Sequence, residues 1–199
     1  FKILFESLEE KGQIVFNLPI DLPPKKYIRL LGNLRSFISV KTLKKHLIVI
    51  RNWDTLTLLI QKSPLLKWQL GRLKTFSQKK NFDLVYYPGV EKKETNHFHR
   101  LKQPLFYEYT QKVLSFEGKD FLKGYKYKVD PVTDNNPFFF DFYKSESFFE
   151  LWKLRKRGGM GLLDWGPLFL GALILQILFL GGIFILFPLI FLKKKEVSI

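Results

Sequence analysis

The stretch LEEKGQIVFNLPI, residues 8–20, decides how the rest of the chain is interpreted. Gly12 marks a turn, and the run QIVFNLPI after it has the apolar, β-branched character of a strand that is covered on both faces. A turn that leads so early into such a strand predicts that other strands precede it. The chain begins at Phe1 rather than at Met, and we therefore expect it to be a piece of a longer protein.

A helix is predicted to follow this first strand. Asp21 is placed to cap the helix, and Pro24 suits its first turn. Four apolar side chains recur at spacings of four, three and four residues, which places them on one stripe of a helix of about four turns. They are Tyr27, Leu31, Leu34 and Ile38.

Two short apolar runs, residues 47–50 and 56–60, come next and are separated by the connection RNWDT. A connection of this length predicts an antiparallel hairpin. Ser63-Pro64 then resembles an N-cap with proline at the first helical position, which predicts a second helix that ends near Gln78. Its buried stripe is expected to consist of Leu66, Leu70 and Leu73.

The remaining soluble part is less regular in its pattern. Residues 82–87 are expected to form one more short strand, which Pro88-Gly89 ends. From residue 91 to residue 136 the sequence is polar and dotted with aromatic residues, and it predicts irregular structure with one helix at residues 104–116.

The segment from residue 165 to residue 192 is apolar throughout, with Gln176 as its one strongly polar side chain. A core helix of a soluble protein would be shorter and would carry a polar stripe, so the segment predicts a membrane span. A helix of this length would measure roughly 42 Å, against a hydrocarbon core of about 30 Å. We expect a tilt or a break at Gly181-Gly182 or Pro188, with a re-entrant hairpin as the alternative.

The net charge is +15, and its distribution favours a lipid partner over nucleic acid. Two basic clusters flank the apolar segment, where they would contact anionic headgroups. Together with Trp165 they are the predicted membrane interface, and they comprise Lys153, Arg155, Lys156 and Arg157 before the span and Lys193, Lys194 and Lys195 after it. With four basic residues before the span and three after it, the positive-inside rule favours a cytoplasmic soluble part only weakly. The absence of cysteine excludes disulfides and thiolate metal sites.

Several stretches together resemble a known family. They are GQIVFNLPIDLPPKKYIRLL at 12–31, IRNWDTLTLLI at 50–60, FDLVYYPG at 82–89, PVTDNNPFFFDF at 131–142 and DWG at 164–166. In this order they resemble the bacterial integral-membrane proteins that join a spermidine-synthase-like, methyltransferase-fold domain to transmembrane helices. The block TDNNPFFF is the most specific part of the resemblance, and Asn135-Asn136 departs from the Asp-Arg that the family more often shows.

The resemblance implies an α/β fold, the C-terminal half of a Rossmann-like methyltransferase sheet that ends in strand five, its helix, and a hairpin of strands six and seven with seven antiparallel. The cofactor-binding loop and the acidic ribose ligand of such a fold precede residue 13. The full-length protein would use S-adenosylmethionine or its decarboxylated form, and this chain alone would bind neither. The expected divisions are residues 1–90 for the half-domain, 91–143 for an irregular extension, 144–160 for a basic aromatic interfacial segment, 161–193 for the transmembrane segment and 194–199 for a tail.

Three residues are candidates for substrate contacts, namely Asp134, Trp53 and Asp54. Asp134 lies in the turn-forming run TDNNP, which either is a structural corner that directs Phe138, Phe139 and Phe140 toward the core or the membrane surface, or presents Asp134 to a pocket. The aromatic run could also be an interfacial belt. Trp53 and Asp54 are expected at the hairpin tip, where a packed tryptophan is the favoured interpretation.

The histidines and the remaining aspartates do not define a metal or substrate site by their spacing. His97 and His99 have no third ligand nearby in sequence, so no metal site is expected. Four aspartates could serve a polyamine site or could equally pair with nearby lysines. They are Asp120, Asp130, Asp134 and Asp141.

The resemblance implies an enzyme of the bacterial inner membrane that, at full length, transfers an aminopropyl or methyl group to a cationic or membrane-associated acceptor. A non-catalytic membrane docking module, or a subunit of a larger complex with other transmembrane segments, is the alternative. An anchored nucleic-acid binder has only the net charge in its favour.

Overall fold

In the computed structural model, which describes residues 2–144 and 165–192, the apolar run after Gly12 is a strand as predicted. The prediction that both of its faces are covered is wrong, because its residues alternate between exposed and half-buried. Strand β1 (Gln13–Pro19) belongs to a sheet with β2 (Leu47–Arg51), β3 (Thr55–Gln61) and β4 (Asp83–Tyr86). Within the described residues the strand order is β1-β3-β2-β4, and every neighbouring pair is antiparallel. Ile14, Ile48 and Leu58 therefore lie in one sheet, as the sequence predicts.

The direction of the strands follows from these pairings. Since β3 is antiparallel to both β1 and β2, β1 and β2 run in the same direction with β3 between them. The chain passes from β1 to β2 through two helices, α2 (Lys26–Phe37) and α3 (Val40–His46). A short helix α1 (Lys2–Glu6) precedes β1. The architecture is mixed α/β with a four-stranded antiparallel sheet.

Helix α2 forms as its apolar spacing predicts. The four side chains of the predicted stripe, Tyr27, Leu31, Leu34 and Ile38, are at most 5% exposed. Asp21 is not the N-cap residue, since Lys25 occupies that position, but its carboxylate accepts hydrogen bonds from the main-chain N–H groups of Lys25 and Lys26 at the start of the helix.

The second predicted helix differs from the sequence prediction. Helix α4 (Lys67–Lys80) begins later than the predicted start at Ser63-Pro64. The Ser63 hydroxyl accepts a hydrogen bond from Gln61 Nε2, and the Gln69 side chain instead accepts from Leu66 N. The predicted buried stripe is also wrong, because Leu66 is 54% exposed and Ser77 is the buried residue of α4.

The segment after β4 packs on the sheet and on α2. It contains a short 3-10 helix (Lys92–Glu94), α5 (Leu105–Val113) and α6 (Gly118–Gly124). Helix α5 contacts both α2 and β4, and Phe106 on α5 packs its ring against Tyr27 on α2. Residues Phe1–Ser147 form one compact unit, and the predicted irregular extension from residue 91 is part of it.

The apolar C-terminal segment belongs to a second unit, Phe148–Ile199. Its helix α7 (Trp165–Gly181) continues through a π-helical stretch (Gly182–Leu186) into α8 (Phe187–Leu192). The helical backbone is uninterrupted, so the re-entrant hairpin is not formed, and the irregularity lies at the predicted glycines. Residues Phe169–Leu189 are long and apolar enough to cross a membrane, by length and composition.

Most residues of the predicted membrane interface lie outside the described residues. These are Lys153, Arg155, Lys156, Arg157, Lys193, Lys194 and Lys195, together with nearly all of the predicted interfacial segment 144–160. Trp165 is the first residue of α7.

Candidate functional site

The carboxyl end of β1 and the tip of the β2–β3 hairpin enclose an open cleft of about 660 Å³. The cleft is lined by Asn17, Leu18, Pro19, Ile20, Trp53, Asp54 and Thr55. It therefore brings together two of the three predicted substrate residues, Trp53 and Asp54.

The tip of the hairpin is fixed by its own hydrogen bonds. The Asn52 side chain accepts hydrogen bonds from Asp54 N at 3.0 Å and Thr55 N at 2.7 Å. Ile20 N donates to Asp54 O at 2.7 Å, which ties the tip to the chain that leaves β1. The Asp54 carboxylate accepts the Thr55 hydroxyl at 2.8 Å and is exposed.

Trp53 is 80% exposed, so the interpretation of a packed tryptophan is wrong. The tight turn directs the indole outward, and its ring contact in the described residues is the edge of His99 at 6.2 Å between centroids. An exposed indole face and a carboxylate on one cleft can hold a cationic group through cation–π attraction and ion pairing.

A second cleft of about 390 Å³ adjoins the first and shares Asn17 and Thr55 with it. It lies between the sheet and two aromatic rings, those of Phe76 of α4 and Phe82, whose centroids are 5.7 Å apart. The Asn17 side chain accepts a hydrogen bond from the Thr57 hydroxyl at 2.8 Å across the strands. The two clefts thus have amide, hydroxyl and aromatic groups on their walls.

A buried ion pair joins β2 of the hairpin to the neighbouring strand β4. Arg51 and Asp83 are directly opposite each other on β2 and β4, and Arg51 Nη2 lies 2.6 Å from Asp83 Oδ2. Burial lowers the pKa of the Arg51 guanidinium, and the Asp83 carboxylate opposes that shift. The Asp83 oxygens also accept the main-chain N–H groups of His97, Phe98 and His99.

Both histidines of the HFH sequence therefore have structural contacts. His97 Nε2 lies 2.6 Å from Lys93 O, and the His99 ring lies beside Trp53. Over residues 2–144 and 165–192, no group of three or more His, Cys, Asp or Glu side chains is arranged to hold a metal ion.

Asp134 lies in a separate place from the cleft residues. Thr133 and Asn136 form an isolated β-bridge with two main-chain hydrogen bonds, so the run TDNNP is a tight corner. Asp134 is exposed on this corner and is not among the residues that line either cleft. The corner directs Phe142 into the core, whereas Phe138 and Phe140 remain exposed.

The other aspartates of the predicted cluster are also not brought to the cleft. Asp141 pairs with Lys128 at 2.7 Å, and that hydrogen bond lowers the pKa of the carboxyl group. Asp130 lines a small depression between α2 and α6. The lysine-pairing alternative thus holds for Asp141.

Sequence reasoning missed the arginines that organise this unit. Arg29 and Arg35 on α2 each donate to three main-chain carbonyls of a later segment. Arg51 pairs with Asp83, which holds residues 97–99 through their N–H groups. One signal was present for Arg51 and Asp83, since Arg51 directly follows the predicted strand at residues 47–50 and Asp83 is the second residue of the predicted strand at 82–87. Arg29 gave no such local signal, because its partners lie about 100 residues later.

No protein-family model, no curated protein and no solved structure matches this chain.

Proposed function

We propose that this chain is the membrane-tethered second half of an enzyme with a methyltransferase-type sheet, which at full length transfers an aminopropyl or methyl group from an S-adenosyl cofactor to a cationic acceptor. The resemblance of the sequence to the spermidine-synthase-like membrane proteins motivates the proposal. The arrangement of β1, β2 and β3 is the single observation that carries it.

That arrangement agrees with what the resemblance implies for the end of such a sheet. A strand leads through helices to a hairpin, and the last strand of the three is antiparallel to the other two. Other arrangements of these three strands are possible. Strand β1 could have paired with β2 instead of β3, or it could have run in the direction opposite to β2. Strand β4, antiparallel to β2, is an addition beyond the resemblance.

The outer edge of β1 offers room for the strands that would carry the cofactor. β1 pairs with β3 on one side and, among the described residues, with no strand on the other. Its residues alternate between exposed and half-buried, and Val15 is 51% exposed. As an edge strand of the described sheet, β1 has its outer side available for pairing with a further strand.

The hairpin-tip cleft supports a cationic acceptor. It lies at the carboxyl end of β1, and it presents the Trp53 ring and the Asp54 carboxylate on one surface. A polyamine or another amine is the substrate class that matches an aromatic face next to an anion. Trp53 and Asp54 would bind and orient the amine, and the transfer chemistry would come from the cofactor.

The apolar helix supports the proposal that the enzyme is attached to a membrane. It would place the enzyme in a bacterial inner membrane, with the soluble unit on the cytoplasmic side and with phospholipid, or further transmembrane segments, as its surroundings.

The proposal is tested by calorimetry of the full-length protein in detergent with S-adenosylmethionine and with its decarboxylated analogue. Saturable binding of either one is expected. In the presence of cofactor, spermidine or putrescine should then bind, and Trp53→Ala and Asp54→Asn should each weaken that amine binding about tenfold without changing cofactor affinity.

Undetectable binding of both cofactors would overturn the enzyme proposal and would favour a non-catalytic membrane docking module. Full cofactor binding with amine binding unchanged in both variants would retain the enzyme and remove the cleft as its acceptor site.

A further inference from the structure

Two phenylalanine rings project from the corner that follows Asn136. Phe138 is 68% exposed and Phe140 is 70% exposed, and we call these two residues the aromatic tip. The Phe140 ring contacts the Phe139 ring edge-on at 5.2 Å between centroids. Each tip residue thus leaves most of a large apolar side chain in contact with solvent.

The main chain that carries the aromatic tip is firmly held. Arg29 Nη1 donates to Phe138 O at 2.9 Å and to Phe139 O at 2.7 Å. The Arg29 guanidinium also lies over the buried ring of Phe142, 4.7 Å from its centroid. Lys128 N donates to Phe142 O at 3.1 Å. The main chain that carries the two exposed rings is therefore fixed in place, through Arg29 of α2 and through the main chain of Lys128.

A fixed corner that presents neighbouring apolar rings marks a contact surface. The chain itself indicates which partner it meets. After the aromatic tip the sequence is rich in aromatic residues, with Phe148, Phe149 and Trp152, and then in basic residues up to Arg157. The apolar helix begins at Trp165, about 25 residues beyond Phe140. Aromatic residues followed by basic residues and a span are typical of a chain that approaches a bilayer through its headgroup layer.

We propose that the aromatic tip inserts into the headgroup layer of the phospholipid bilayer that holds the apolar helix. The partner is the lipid itself, and Phe138 and Phe140 are the contact residues. This inference rests on the membrane tether of the proposed function. It would give the soluble unit a second attachment to the membrane, in addition to the covalent connection through residues 145–164.

Phe116 provides a matched control on the same unit. It is 99% exposed, more than either tip residue, and its carbonyl is also held by an arginine of α2, Arg35. Arg29 and Arg35 are six residues apart, which separates them by about 9 Å along the helix axis. Phe116 therefore matches the tip in chemistry, exposure and attachment, while it belongs to a different corner of the unit.

The test uses the full chain in vesicles of phosphatidylcholine and phosphatidylglycerol. Because the protein has no cysteine, Phe140→Cys, Phe116→Cys and Leu178→Cys each create a single attachment point for a fluorophore. All three side chains are exposed and should tolerate the change. Quenching by lipids that carry nitroxide near the headgroup or deep in the acyl chain is compared with quenching by aqueous iodide.

The label at Phe140→Cys is expected to be quenched by the shallow nitroxide at least about twofold more than the label at Phe116→Cys, and to be protected from iodide. The label at Leu178→Cys is expected to be quenched by the deep nitroxide. Equal quenching at residues 140 and 116, with residue 178 in the acyl region, would overturn the inference and leave the tether intact. A label at residue 178 that iodide reaches freely would overturn the tether itself.

Discussion

Arg51 and Asp83 face each other across β2 and β4 with 2.6 Å between Nη2 and Oδ2, and their side chains are only 4% and 1% exposed. The same carboxylate holds three consecutive main-chain N–H groups, those of His97, Phe98 and His99. One buried charge pair thus joins the sheet to the loop that supports Trp53.

Replacement of Asp83 should therefore be among the most damaging single changes in the soluble unit. Asp83→Asn leaves the Arg51 charge buried without its counter-ion and replaces one of the two oxygens that accept the N–H groups with an NH2 donor, at a cost of about 3–5 kcal/mol. Thermal unfolding of the full chain in detergent, followed by circular dichroism, measures the loss. Glu6→Gln is the control, since its pair with Lys2 is exposed on both sides and should contribute less than about 0.5 kcal/mol.

The Glu94 carboxylate should make stability depend on pH in the acid range. Hydrogen bonds from Lys74, at 2.6 Å, and from the Tyr87 hydroxyl lower its pKa from 4.5 to about 2. The stabilisation is fully present above pH 4.5, the ordinary value, and is lost as the pH falls toward about 2. Because the pair is partly exposed, its contribution at neutral pH is about 1 kcal/mol or less.

Glu94→Gln should therefore lower the unfolding midpoint at pH 6 and have a smaller effect at pH 3. The difference in unfolding midpoint between the native protein and the variant is measured at pH 6 and at pH 3. This difference cancels the contributions of the other carboxyl groups, because both proteins contain them. An effect of equal size at both pH values would show that the Glu94 charge is not the stabilising element.

Gly118 is a position where a single methyl group should be costly. A Cβ atom there would lie 1.8 Å from Arg35 Nη1 and 2.2 Å from Val113 O, and the second contact is to the main chain. Gly118→Ala should destabilise the unit by about 1–3 kcal/mol.

Gly71 on α4 is the matched control, because a Cβ atom added there would have nothing within 4 Å of it. Gly71→Ala should raise stability by about 0.5–1 kcal/mol, since alanine favours a helix interior more than glycine. A destabilising Gly71→Ala together with a neutral Gly118→Ala would contradict the packing described for α6.

Arg29 and Arg35 should protect two different segments from proteolysis. Arg29→Ala frees the carbonyls of Phe138 and Phe139, and Arg35→Ala frees those of Ser115 and Phe116. Chymotrypsin, which cleaves after aromatic residues, should cut Arg29→Ala faster at residues 138–140 and Arg35→Ala faster at residue 116. Mass spectrometry of the fragments identifies the sites, and each variant is the control for the other.

Arg29→Ala should also be the more destabilising of the two variants. Arg29 is fully buried, while Arg35 is partly exposed. Loss of the Arg29 side chain leaves three part-buried carbonyls without these donors, at no more than about 1–3 kcal/mol for each group left unsatisfied. The same cleavage pattern in both variants would indicate general unfolding rather than local release.

The elements with local signals could be predicted from the sequence. The spacing of Tyr27 and Leu31 defined α2, and the short connection RNWDT defined the hairpin, because both depend on neighbouring residues only. The sequence also predicted a tilt or a break at Gly181-Gly182 or Pro188, and the helix instead continues from Gly181 through the π-helical stretch Gly182–Leu186.

What the sequence could not predict depends on distant contacts. The Ser63-Pro64 pattern is a valid helix start in isolation, but Gln61 occupies the Ser63 hydroxyl and the helix begins later. The exposure of Trp53 depends on how the turn at Asn52 orients it. The buried role of Arg29 depends on carbonyls far along the chain, which no local pattern records.

The open side of β1 has a practical consequence for anyone who isolates the soluble unit. A strand at the edge of a sheet can act as a template for a strand of another molecule, and natural proteins usually protect such edges with lysine, proline or a bulge. Residues 1–144 in solution should therefore self-associate in a concentration-dependent way. Val15→Lys, at a side chain that is half exposed, should shift the particles measured by light scattering toward monomers without lowering the unfolding temperature.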